Sequence, residues 1–214
     1  MIRNFSAVIF DFGGVITASP FEAFARLEAE RGLPPGLVRQ INTLNPDGNA
    51  WARLERSEID TATFDRLFAE EAAALGHVLP GRDVLSVIAG DVRPEMVAAL
   101  GKLRAAGYRL GCITNNMQSE ESKPGAGAMR PYAEAMGYFE HVIESAKAGV
   151  RKPDPRIYAM MCQALALPPQ ACVYLDDLGI NCKPAAAMGM HAIKVTSGAQ
   201  ALADLGAALG MDLA

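Results

Sequence analysis

Short apolar runs alternate with helix-length segments along most of this 214-residue chain, and that rhythm restricts the fold more than any other feature. Ala7 to Phe10, Leu110 to Ile113, His141 to Glu144, Cys172 to Leu175 and His191 to Val195 are apolar or β-branched and short, as buried strands are. Between them, Arg93 to Ala106, Pro155 to Ala166, Asn181 to Met188 and Ala199 to Leu209 carry helical patterns. Gly107, Gly189 and Gly210 stand where helices stop. Strand then helix, repeated, predicts an α/β fold: a Rossmann-like parallel sheet with helices on both faces.

The rhythm lapses between residues 18 and 85. "FEAFARLEAERG", "GLVRQINTLN" and "TFDRLFAEEAAALG" all read as helices, with no strand signal between them. They predict an all-helical insertion at 18–85, carried by a core made of 1–17 and 86–214. The segment "LPGRDVLSVIAGDVRPEM" has the prolines and glycines of a hinge back into the core. Trp51, the single tryptophan, is expected in the insertion's own core with Phe21 and Phe24. "SKPGAGAM", residues 122 to 129, reads as a loop and lacks the G-x-G-x-x-G of a nucleotide-binding turn.

Composition removes several function classes. Half the residues are hydrophobic, enough for one sizeable core and a small accessory unit. A net charge of -4, from 20 basic and 24 acidic residues, leaves no basic footprint for nucleic acid. The apolar run near the N-terminus is too short for a signal peptide, and no run approaches a membrane span. Cys112, Cys162, Cys172 and Cys182 have no C-x-x-C spacing, and the three histidines lie far apart, which argues against zinc. The expectation is a cytoplasmic protein with reduced thiols, as a monomer or homodimer.

In open parallel sheets, ligands bind where the strands end. The first strand ends on Asp11, followed by Phe12-Gly13-Gly14; the second ends on Thr114 and Asn115. Lys152 stands at a helix entrance in "AGVRKPDP", and the fourth strand ends on Asp176-Asp177. Singly, most of these could be turn or capping residues. The adjacent aspartates are different, since two carboxylates behind a buried strand repel one another and call for a cation. Placed on one rim, these residues would gather three carboxylates, a lysine, a hydroxyl and an amide.

The sequence order Asp, Thr, Lys, Asp-Asp resembles the haloacid dehalogenase-like hydrolase superfamily, over the whole chain. "FDFGGV" looks like its first motif, "ITNN" its second, "RKPDPRIY" its third and "YLDDLGINCKPAAAMGM" its fourth. The chain looks most like the phosphatase-type N-terminal domain of soluble epoxide hydrolases and the related domain of an acyl-CoA dehydrogenase family. The helical insertion resembles the small cap of such enzymes. The resemblance implies Mg²⁺ held by Asp11, the carbonyl of Gly13 and Asp177, with Asp176 behind them. It implies Asp11 as nucleophile, Thr114 and Asn115 as donors to a phosphoryl group, and Lys152 as the stabiliser of developing charge. The expected substrate is a small phosphorylated molecule.

One position departs from the pattern. Family phosphatases carry a second aspartate two residues after the nucleophile, as general acid; here that residue is Gly13. Loss of a general acid weighs most on poor leaving groups. It leaves two alternatives: a 2-haloacid dehalogenase, whose halide needs no proton, and a weakly active or inactive binding module of the same fold.

Overall fold

The computed structural model describes residues 5–88, 90–116 and 129–213. Five parallel strands, β1 (Ala7–Phe10), β2 (Arg109–Thr114), β3 (His141–Glu144), β4 (Cys172–Asp176) and β5 (His191–Lys194), form one sheet in the order β3-β2-β1-β4-β5. They fall where the sequence predicts them, to within a residue at either end. α1 (Pro20–Glu30), α2 (Leu37–Leu44), α3 (Ala50–Glu55), α4 (Thr61–Ala74) and α5 (Gly81–Ser86) follow β1. The sheet is covered by α6 (Pro94–Ala105), α7 (Met129–Met136), α8 (Ser145–Ala148), α9 (Pro155–Ala164), α10 (Gly179–Ala187) and α11 (Gly198–Leu209).

β1 is central and wholly buried, which explains its unbroken apolar run. Its side chains alternate between two cores. Val8 and Phe10 join Met96, Leu100, Leu202 and Leu205 from α6 and α11. Ala7 and Ile9 join Tyr158, Met161 and Ala185 from α9 and α10. Gly107, Gly189 and Gly210 have φ of 89°, 103° and 68°, the left-handed backbone that ends a helix.

The insertion builds a third core from Phe24, Leu27, Ile41, Leu54, Phe64 and Phe68. Trp51 stands edge-on to Phe24 and Phe64, 5.8 Å from each ring centre. Buried Glu28 accepts from the amides of Gly36 and Val38 at 2.6 and 2.9 Å, and so caps the start of α2. Asn49 and Asp60 cap α3 and α4 through the amides of Ala52 and Thr63.

Two helices here lie outside the sequence reading. α3 is only six residues long, too short for a periodicity to register. α5 occupies the segment expected to be a hinge: its Pro80 and Gly81 mark the helix start, not a break. The crossing back into the core comes later. Thr17 pairs with Val92 in an antiparallel bridge, Ala18 donates to the Asp91 carbonyl at 2.8 Å, and Arg93 donates to that of Ile16 at 2.9 Å. The chain thus enters and leaves the insertion through two adjoining segments. The expected loop at 122–129 lies outside the described residues as far as 128, and Met129 opens α7. Among the described residues, no helix is long and apolar enough to cross a membrane.

Candidate active site

The parallel register brings the ends of β1, β2 and β4 to one edge. Phe10 pairs with Cys112 on one side and Leu175 on the other, so Asp11, Thr114 and Asp176 emerge from neighbouring strands. Asp11 extends the ladder by one bond, its amide donating to the Leu175 carbonyl at 2.8 Å. Its side chain is nearly buried, and the two oxygens are used differently. Oδ1 accepts from the Phe12 amide at 2.6 Å and from Lys152 Nζ at 2.7 Å. Oδ2 has no hydrogen-bond partner among the described residues.

Lys152 is 1% exposed, and its ammonium is shared between Asp11 Oδ1 and Asp176 Oδ2, the latter at 2.9 Å. Asp176 is fully buried and well supplied with donors. Besides Lys152 it receives the Leu178 amide, Nδ2 of Asn181 and the Tyr174 hydroxyl. Asp176 therefore anchors the lysine as well as adding charge to the rim. Burial opposes the ammonium, but the carboxylates of Asp11 and Asp176 overcome this and hold Lys152 above its ordinary pKa.

Asp177 stands beside this pair. One ligand oxygen each from Asp11, Asp176 and Asp177 lie within 4.8 Å of one another, the one such grouping among the described residues. Three carboxylates against one ammonium leave uncompensated negative charge in a poorly hydrated place. Burial, then the charge of Asp176, pushes Asp177 up to about 6 against the pull of Lys152 and a hydrogen bond from Ser19. Burial, with Asp176 and Asp177, likewise raises Asp11 despite Lys152. A hard divalent cation with oxygen ligands fits this donor set and its charge imbalance.

The two glycines after Asp11 have separate reasons to be there. Gly14 has φ +76°, and a Cβ on it would lie 2.2 Å from Oδ2 of Asp177. The close approach of this turn to the carboxylate requires glycine. Gly13 has a negative φ, and its Cβ would meet nothing within 4 Å. The backbone does not demand glycine there, so the missing general acid is not a steric necessity.

Thr114 ends β2 partly exposed, with no hydroxyl partner among the described residues. Asn115 is otherwise occupied. Its Oδ1 accepts the Lys152 amide at 2.9 Å, while its Nδ2 donates to the Lys152 carbonyl at 3.1 Å and to Glu55 Oε2 at 3.3 Å. Its side chain clamps the lysine's backbone, where sequence alone suggested a phosphoryl donor. Ser19, Glu55, Tyr174 and Asn181 escaped the sequence reading. Asn181 and Tyr174 flank the Asp-Asp pair in sequence, a signal that was present. Ser19 and Glu55 reach the site only through the insertion's fold.

The fold and this rim define a class: a parallel α/β hydrolase with a carboxylate and lysine cluster at its strand ends. The chain belongs to the haloacid dehalogenase-like hydrolase family, whose family model matches residues 5–189. It is 32% identical over 216 residues to the mouse protein acyl-CoA dehydrogenase family member 10, covering 99% of this chain and 20% of that one. To pig bifunctional epoxide hydrolase 2 it is 29% identical over 218 residues, covering 97% of this chain and 39% of that one. The chain thus spans well under half the length of these two relatives. A similar-sized relative, phosphatase MT3486 of Mycobacterium tuberculosis, is 25% identical over 205 residues, covering 92% of this chain and 90% of that one. Among solved structures, a magnesium complex of the HAD family enzyme bt-2542 from Bacteroides thetaiotaomicron has the same fold. Its TM-score is 0.64 at 20% identity, covering 92% of this chain and 96% of that one.

Proposed function

We propose that this hydrolase is a Mg²⁺-dependent phosphatase acting on a small phosphorylated molecule, with residues 18–85 serving as its cap. The observation that carries the reading is the asymmetry of Asp11: Oδ1 is fixed by Lys152 and the Phe12 amide, and Oδ2 is left to act. Oδ2 attacks the phosphorus, the bond from phosphorus to the ester oxygen breaks with its electron pair leaving on that oxygen, which takes its proton from water, and Asp11 becomes an aspartyl-phosphate. Attack by water then breaks the bond between phosphorus and the Asp11 oxygen, releases inorganic phosphate and restores the carboxylate. Lys152 holds Oδ1 in place and offsets charge on the transferring group. Thr114 supplies a hydroxyl to the phosphoryl oxygens.

Asp11, Asp177 and the Gly13 carbonyl would hold Mg²⁺, with Asp176 behind them. When bound, the ion supplies the positive charge that a phosphate dianion needs beside three carboxylates. The phosphatase-named relative supports the same reading. Gly13 is the feature that favours the dehalogenase alternative, because halide departs unprotonated. A panel of alkyl, aryl and acyl phosphates and 2-haloacids, each with and without Mg²⁺, separates the two. Metal-dependent phosphate release supports the proposal; metal-independent halide release from the haloacids alone sinks it.

A further inference from the structure

Glu55 is a carboxylate of the insertion, yet its polar partners lie mostly in the core. It ends α3, is 6% exposed, and its Oε2 lies 2.6 Å from Arg151 Nε and 3.3 Å from Asn115 Nδ2. Its Oε1 accepts from the Trp51 indole at 3.0 Å, and its main-chain carbonyl accepts from buried Ser145 Oγ at 2.7 Å. Arg151 precedes Lys152 in the chain. Asn115 grips the Lys152 backbone at both its amide and its carbonyl. One buried carboxylate thus meets both the neighbour and the clamp of the lysine that fixes Asp11.

The bonding pattern also says what Glu55 does not do. Its oxygens are engaged by an ion pair with a guanidinium and by hydrogen bonds from an amide and an indole, so it is a poor stand-in for the general acid absent at position 13. A buried carboxylate with so many donors serves geometry.

We infer that Glu55 is a positioning residue through which the docked insertion fixes the backbone of Lys152 and hence the orientation of Asp11. As a statement about catalysis, this rests on the phosphatase reading. As a statement about Lys152, it stands by itself. Separation of the insertion from the core removes Glu55 from Asn115 and Arg151, so the backbone of the nucleophile's partner loses one of its supports when the two part.

The test uses the full chain with Mg²⁺ present. Glu55→Gln keeps an oxygen for one donor and removes the charge that faces Arg151. Hydrogen exchange at the Lys152 amide, followed by NMR, is expected to speed up by about tenfold or more. Trp51, the single tryptophan, shifts its emission as its acceptor changes. Against whichever phosphate ester the wild type hydrolyses, kcat falls about 10–100-fold with a smaller change in KM.

A lowered Tm with unchanged Lys152 exchange and unchanged kcat would reduce Glu55 to glue and overturn the inference. So would altered exchange with unchanged kcat, or altered kcat with unchanged exchange. If Glu55→Gln fails to fold, Trp51→Phe removes the indole donor together with part of the ring packed on Phe24 and Phe64, and the same two readouts shift in the same direction by less. A wild type inert toward every phosphate ester sinks the phosphatase reading, and the exchange measurement alone then decides the positioning role.

Discussion

Replacing Gly14 with alanine separates steric need from chemical choice in the turn after Asp11. At φ +76°, an alanine pays the left-handed penalty of roughly 1–2 kcal/mol. Its Cβ would also stand 2.2 Å from Asp177 Oδ2, and contact at that distance forces the carboxylate to move. Asp177 has limited room, being packed beside Asp176 and hydrogen-bonded to Ser19 at 3.3 Å. Together these place the destabilisation at about 2–5 kcal/mol, with overpacking costing about 1–3 kcal/mol of it. For a chain of this length each kcal/mol lowers Tm by about 2–4 °C. A second effect is specific to the site. If Mg²⁺ binds as proposed, at about 100 times its Kd it should stabilise the wild type by roughly 2.7 kcal/mol, and displacing Asp177 should remove most of that increment. Gly13→Ala is the control. Its φ is negative and its Cβ is unopposed, so it should be neutral or stabilising by about 0.4–1 kcal/mol. The assay is thermal unfolding of both variants with and without Mg²⁺. Equal losses at the two positions, or a full Mg²⁺ increment in Gly14→Ala, would refute the reasoning.

Asp11→Asn should fold, since Lys152 keeps Asp176, yet lose roughly 10⁴-fold or more in kcat; full retention of activity excludes a covalent Asp11. The wild type should favour aryl and acyl phosphates over alkyl phosphates, and Gly13→Asp should narrow that gap by up to about 10²-fold by restoring a proton donor. An unchanged preference in a folded, metal-binding variant means another group already supplies the proton. Glu28→Ala leaves the buried amides of Gly36 and Val38 without their acceptor and should cost about 1–3 kcal/mol, read as a lower urea midpoint with activity per folded molecule unchanged.

The sheet and its rim were legible because both follow from local chemistry. β1 is apolar on both faces, so its run could not be mistaken for a half-exposed strand. Asp11, Thr114 and Asp176-Asp177 are each where an apolar run stops, and parallel register does the rest. What stayed hidden depends on contacts distant in sequence. Glu55 sits in "RLERSE", where its neighbours suggest a solvated face, and only the docking of α3 on the core buries it. Asn115 looked like a phosphoryl donor because its position was visible, while its partner, the backbone of Lys152, lies 37 residues away. Gly13 and Gly14 are adjacent and alike in sequence, and only the backbone angle and the nearness of Asp177 show that Gly14 alone must be glycine.

The paired linkers at Thr17 and Val92 have a consequence for how such a chain can be remodelled. Because the excursion begins and ends at the same spot, the strands' register does not depend on the length of chain between those two residues. A gene could lengthen, shrink or exchange this segment without shifting the register of any strand, much as a hairpin loop accepts insertions. Selection on the excursion is then independent of the sheet but not of the rim, because Ser19 and Glu55 reach Asp177 and Asn115 from within it. A chimera that takes residues 18–91 from another member of the family is expected to keep the sheet and inherit the donor's substrate range.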